Sequence, residues 1–274
     1  MLSLAPFIAG AAIIGSLLGY RHFRRKSRRK KLMSHPWPES WGNILREKVP
    51  IYNRLPEQFK KELHGLIHIF IDEKPFEGCA GLEVTEEMKV IIAGQACILL
   101  LNRPANFYPK LDVILVYPSA YVAKTVEQHG WGTFVEKEQA RLGESWHSGI
   151  VVLAWDSIVH ETRDVRDGHN VVLHEFAHQL DQEDGSSDGA PLLETKSQYV
   201  SWARHLGTVY SELQEAVARH RPTFIDQYGA TNPAEFFAVV TETFFEKGAG
   251  LKRRMPELYE ELRTYYQLDP ASWA

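Results

Sequence analysis

Val171-Val172-Leu173-His174-Glu175-Phe176-Ala177-His178-Gln179-Leu180-Asp181 is the stretch that decides how this chain is read. Residues four apart stand one above the other on a helix face, so a helix here makes the imidazoles of His174 and His178 converge on one point. Neutral imidazole nitrogens are ordinary zinc ligands, and a catalytic zinc keeps one position for water. Glu175, one step round the helix from His174, is placed to act as general base on that water. The flanks Val171, Val172, Phe176 and Ala177 are apolar, which predicts a helix buried in the core. Two histidines and a glutamate are costly to bury unless a metal or hydrogen bonds satisfy them. The competing reading, an exposed helix with a glutamate between two ordinary histidines, fits those flanks poorly.

A third histidine just after the motif would complete some sites of this kind, but positions 181 and 184 are Asp181 and Asp184. The third ligand must come from a later segment. Glu235 and Glu242 stand seven apart on a helix expected to begin at Asn232-Pro233. Glu235 also falls at the third position of a capping box led by Asn232, so ligand and cap both stand as readings, with Glu242 the lesser ligand candidate. His169, His205 and His220 stay open by pattern alone. Asp181 either accepts the far N–H of a ligand imidazole or simply ends the helix before Gly185.

Outward from the motif, LDVILVYP (111–118) and GIVVLAW (149–155) read as strands, with loops and short strand pieces between them. Phe59, Leu63, Leu66, Ile67 and Phe70 recur at helical steps after Pro56, and Thr85 is an N-cap candidate for a buried helix running to about Leu101. Further helices are expected over 168–181, 194–220, 233–246 and 256–267. Helices, then a few strands, then helices imply an α+β domain rather than a βαβ repeat. Cys79 and Cys97, the only two cysteines, sit among apolar neighbours and read as core residues, which weakly favours a reducing compartment.

The charge is unevenly spread. All eight basic residues of the first 38 positions lie between Arg21 and Lys31, which leaves 23 basic against 35 acidic residues elsewhere. An acidic body makes direct nucleic-acid binding an unfavourable reading. Residues 1–20 carry no charge and are followed, not preceded, by the basic run, so they read as a membrane-anchor candidate. On that reading residues 21–40 are a basic and then Pro-rich linker whose cations meet anionic lipid, and 41–274 form the catalytic domain, cytoplasmic and tethered to the inner membrane by residues 2–20.

HEFAHQLD (174–181) together with YGATNPAEFFAVVTETFFE (228–246) resembles the Mlc titration factor A family of zinc peptidases, over about Trp41 to Asp269. The resemblance implies a zincin-like domain, a small mixed sheet around a buried active-site helix. It also implies that the third zinc ligand is the glutamate seven residues after a tyrosine facing the metal, which selects Glu235 over Glu242 and gives Tyr228 a role at the oxyanion. Zn2+ is then held by His174, His178 and Glu235, with Glu175 and Tyr228 catalytic. The implied function is peptide-bond hydrolysis, aminopeptidase-like or narrow in specificity, on a peptide or protein substrate. The alternative it implies is a regulatory binding protein that sequesters a transcriptional repressor.

Overall fold

The computed structural model describes residues 5–104, 106–119, 121–129, 133–141, 143–146, 149–162 and 166–273, with 5–18, 121–129, 133–141 and 143–146 described by backbone alone. The chain opens with a 29-residue helix, α1 (Ala5–Met33). Short helices α2 (Glu39–Lys48) and α3 (Pro50–Arg54) lead into α4 (Glu57–Glu73). Leu63, Leu66, Ile67 and Phe70 of α4 are buried, as their spacing predicts, and Phe59 is half-buried against the same core. Strand β1 (Phe76–Gly78) is followed by α5 (Glu86–Ile98), whose Thr85 side chain accepts from Met88 N–H as an N-cap. From Val90 to Ile98 every residue of α5 is buried, which suits its all-round apolar sequence.

The strands β2 (Val113–Tyr117), β3 (Tyr121–His129), β4 (Thr133–Arg141), β5 (Gly143–Trp146) and β6 (Ile150–Ala154) follow. The main sheet has the order β1-β2-β6-β5, parallel except for the β5–β6 pair, while β3 and β4 form a separate antiparallel pair. A parallel β1–β2 pair needs a crossover, and α5 supplies it. The mixed sheet and α+β class match expectation. The β3–β4 pair is longer than the loops and strand pieces expected there.

Helices α6 (Trp155–Glu161), α7 (Val171–Asp181), α8 (Lys196–Ala218), α9 (Pro233–Glu246), α10 (Gly248–Arg254) and α11 (Pro256–Tyr266) complete the chain. The motif helix α7 is the centre of the fold. Its Phe176 ring packs 5.6 Å from Phe70 of α4 and 4.8 Å from Tyr108. Lys110 donates to Gln182 O at 2.7 Å, placing a cation at the negative end of α7.

The basic run expected as a linker is helical, continuous with the apolar stretch, and docked. Arg25 and Arg29 both pair with Glu73 at 2.7 Å, and Arg28 pairs with Asp72. Burial pushes the Glu73 carboxyl up, yet the guanidiniums of Arg29 and Arg25 outweigh it and hold the group at about 2. The Pro-rich segment is docked as well: the Trp37 ring stacks on His64 with 3.8 Å between centroids and 4° between planes. Among the described residues no helix is long and apolar enough to cross a membrane. The anchor expected over 2–20 therefore gains no support, and most of it falls on residues 1–18, whose side chains lie outside those described.

Candidate metal centre

Two helices build the site. Asn170 starts α7: its side chain accepts from Leu173 N–H at 3.0 Å, which sets where the helix begins and so the direction in which His174 and His178 project. Asn232 starts α9 in the same way, accepting from Glu235 N–H at 2.9 Å, with Pro233 in the first turn. The cap and ligand readings of Glu235 thereby separate. Its backbone N–H belongs to the cap, and its carboxylate turns to the histidines.

The three side chains converge. His174 Nε2 lies 3.2 Å from His178 Nε2 and 3.0 Å from Glu235 Oε2, and His178 Nε2 lies 3.4 Å from the same oxygen. Ligand atoms set tetrahedrally at zinc bond lengths are spaced by about 3.3 Å. Among the described residues this is the one group of three or more His, Cys, Asp or Glu whose ligand atoms lie close enough to hold a metal ion, all within 4.8 Å of one another. Its electrostatics point the same way. Burial opposes charge on His174, but Glu242 and then Glu235 outweigh it, so the ring titrates well above an ordinary histidine. Burial lowers His178. Burial pushes Glu235 up, while hydrogen bonds from His174 and His178 hold it below the usual carboxylate range. Two imidazoles meeting one carboxylate, with the Glu242 carboxylate behind His174, are a donor set that suits a divalent cation.

Behind His174 lies a second carboxylate. Glu242 Oε1 accepts from His174 Nδ1–H at 2.7 Å, and Oε2 accepts from Asn170 N–H at 2.5 Å. Glu242 is not in the ligand group; it fixes the ring orientation of one that is. Glu242, the lesser ligand candidate by pattern, lies two helical turns from Glu235, a spacing that already puts both on one face. Asn170 Nδ2 donates to Gln95 Oε1 at 2.8 Å and to Glu246 Oε1 at 3.1 Å, so α5 supports the same network.

Glu175, on α7 beside His174, is 4% exposed. Tyr228 sits in a 3₁₀ turn, Gln227–Ala230, with its ring centroid 6.0 Å from that of His174. It is half exposed. The histidines left open by pattern are elsewhere: His169 faces Asp226 at 3.5 Å, His205 pairs with Glu261 at 2.7 Å, and His220 lies two residues past the end of α8 with a φ of 50°. Asp181 does end α7, but its Oδ2 accepts from Gly189 N–H at 3.1 Å, so it serves the following loop and not a ligand imidazole.

The model of the glucose-regulated metallo-peptidase M90 family matches residues 23–267, a span that begins inside α1. The Synechocystis protein slr2042 is 42% identical over 94% of each chain. The Mlc titration factor A of Serratia proteamaculans is 29% identical over 84% of this chain and 87% of its own, and that of Escherichia coli 28% identical over 86% of each. With the matched span covering almost all of the described body, this chain belongs to the glucose-regulated metallo-peptidase M90 family, to which the Mlc titration factor A proteins are its relatives.

Proposed function

We propose that the chain is a zinc-dependent peptidase with a zincin-like site, aminopeptidase-like or narrow in specificity, in which His174, His178 and Glu235 hold Zn2+. The convergence of their three ligand atoms within 4.8 Å is the observation that carries this reading. Bound zinc supplies a Lewis acid and lowers the pKa of its water to about 7. Glu175 takes the proton of the attacking water and hands it to the departing amine. Glu175 is buried beside His174, which keeps its carboxylate close to the site. Tyr228 donates its hydroxyl to the oxygen of the scissile carbonyl as charge develops there. Glu242 holds His174 with Nε2 toward the cation.

Zinc content of the purified full chain, measured beside hydrolysis of a peptide library, tests this. One zinc per chain and cleavage that falls by about 10²–10⁴ in Glu175→Gln, with zinc retained, is the expected result. Cleavage at the wild-type rate in Glu175→Gln overturns it.

A second reading rests on the relatives' name, Mlc titration factor A: binding of a transcriptional repressor as the main role. Capture of a repressor by Glu175→Gln, together with no hydrolysis by the wild type, favours that reading. Under either reading the domain works inside the cell. A tether through residues 2–20 belongs to the proposal too, and fractionation with and without those residues tests it.

A further inference from the structure

The loop after α7 touches α9 at the residue that opens the ligand helix. Gly189 is buried and has a φ of +77°. Its N–H donates to Asp181 Oδ2 at 3.1 Å, and its carbonyl accepts from Trp202 Nε1 of α8 at 2.9 Å. Asp181, the last residue of α7, is fully buried. On its open side Gly189 lies directly against Pro233: a Cβ built there would meet Pro233 O at 2.3 Å and its carbonyl carbon at 2.8 Å. Pro233 is the first residue of α9, and Glu235 follows two residues later in the same turn.

We propose that Asp181 and Gly189 are positioning residues for the third ligand: the Asp181 carboxylate draws Gly189 in, and the missing side chain of Gly189 sets how closely the first turn of α9, and with it Glu235, approaches the two imidazoles of α7. This rests on the metal reading above. A cation held at ligand distances of about 2.0–2.2 Å is sensitive to shifts of a few tenths of an ångström. A Cβ at residue 189 forces a larger shift than that on Pro233. Trp202 reinforces the contact, because its ring also packs on Phe237 one turn further along α9, 5.7 Å between centroids.

Gly185 of the same loop provides the control. Its φ of +107° makes a side chain there equally strained, yet its Cβ would meet only Lys110 Nζ at 3.5 Å. Both Gly189→Ala and Gly185→Ala should therefore lower the melting temperature of the metal-free protein. Only Gly189→Ala should weaken zinc, by at least about tenfold in chelator competition, and change the visible spectrum of bound Co2+ as the third ligand lengthens or leaves. Equal zinc affinity in the two variants overturns the proposal. If Gly189→Ala does not fold, Asp181→Ala is measured against Asp181→Asn, which keeps an acceptor for the Gly189 N–H. Weakened zinc in the first and recovery in the second is expected, and wild-type affinity in Asp181→Ala overturns the proposal. A wild-type protein that binds no zinc overturns the metal reading and this one with it.

Discussion

Glu242 Oε1 accepts from His174 Nδ1–H at 2.7 Å, while its other oxygen takes the N–H of Asn170 at the start of the same helix. One carboxylate thus fixes both the ring orientation of a candidate ligand imidazole and the origin of the helix that carries it. His174 Nε2 is left facing His178 and Glu235.

Glu235→Ala and Glu242→Ala should accordingly differ in kind. On the proposed zinc reading, removing Glu235 takes away a ligand, and the protein should be isolated with little or no zinc. Removing Glu242 leaves three ligands with one free to turn, and losses of supporting groups like this cost about 10–100-fold in metal affinity. Atomic absorption on protein dialysed against graded chelator separates the two. A Glu242→Ala protein with undiminished affinity would show that the ring needs no such support.

Phe176→Ala should unfold the site by emptying the space behind it. Phe176 is fully buried against Phe70 and Tyr108, on the face of α7 that looks into the core. Truncations of this type cost about 3–5 kcal/mol. Chemical denaturation of the metal-free protein measures the cost directly. A loss under about 1 kcal/mol would mean that the core closes over the gap.

Much of this was legible in the residues. The apolar flanks of His174 and His178 gave a buried helix, Asn232-Pro233 marked the start of α9, and the helical steps of Phe59 to Phe70 marked α4, because local patterns determine such features. Glu235 could not be separated from its capping role by spacing, since its backbone and its carboxylate serve both. The part played by Asp181 depends on Gly189, eight residues away in a loop with no periodic pattern. The β3–β4 pair is legible only as short strand pieces, because residues 121–141 mix charged and polar residues with few long apolar alternations. Docking of α1 was missed because a run of cations looks the same whether it meets lipid or, as here, Asp72 and Glu73.

Glu246→Gln should stabilise the protein, and increasingly so as pH rises. Burial pushes the Glu246 carboxyl up to about 9, with the bond from Asn170 opposing and the charge of Glu242 adding to the shift. The folded state therefore keeps a proton that the unfolded chain, titrating near 4.5, releases. Unfolding loses protons between these two values, so the wild type weakens across that window, and below about 4.5 the penalty is absent. Glutamine keeps the acceptor for Asn170 Nδ2 and has no proton to lose. The gain should be roughly 1–3 kcal/mol at pH 7 and vanish near pH 4. Melting temperatures of the two proteins from pH 4 to 9 check the sign, and a difference that does not grow with pH would place the charge elsewhere.

Tyr228→Phe separates a hydroxyl from a ring. The tyrosine ring lies 6.0 Å from the His174 ring, and its turn is held by Asp226, which accepts from Tyr228 N–H at 2.7 Å. Phenylalanine preserves both features, so the backbone of the turn and the zinc content should be unchanged. What disappears is the hydroxyl that the proposed mechanism uses as a donor to the carbonyl oxygen of a bound peptide. That donor acts on charge present in the transition state and largely missing from the substrate, so kcat should fall by about 10²–10³ while KM stays near its wild-type value. A purely packing role predicts the opposite pattern, with Phe active and only Tyr228→Ala impaired. Steady-state kinetics on the best peptide of the library, run for both variants at equal zinc loading, distinguishes a proton-donating tyrosine from one that merely shields the histidines.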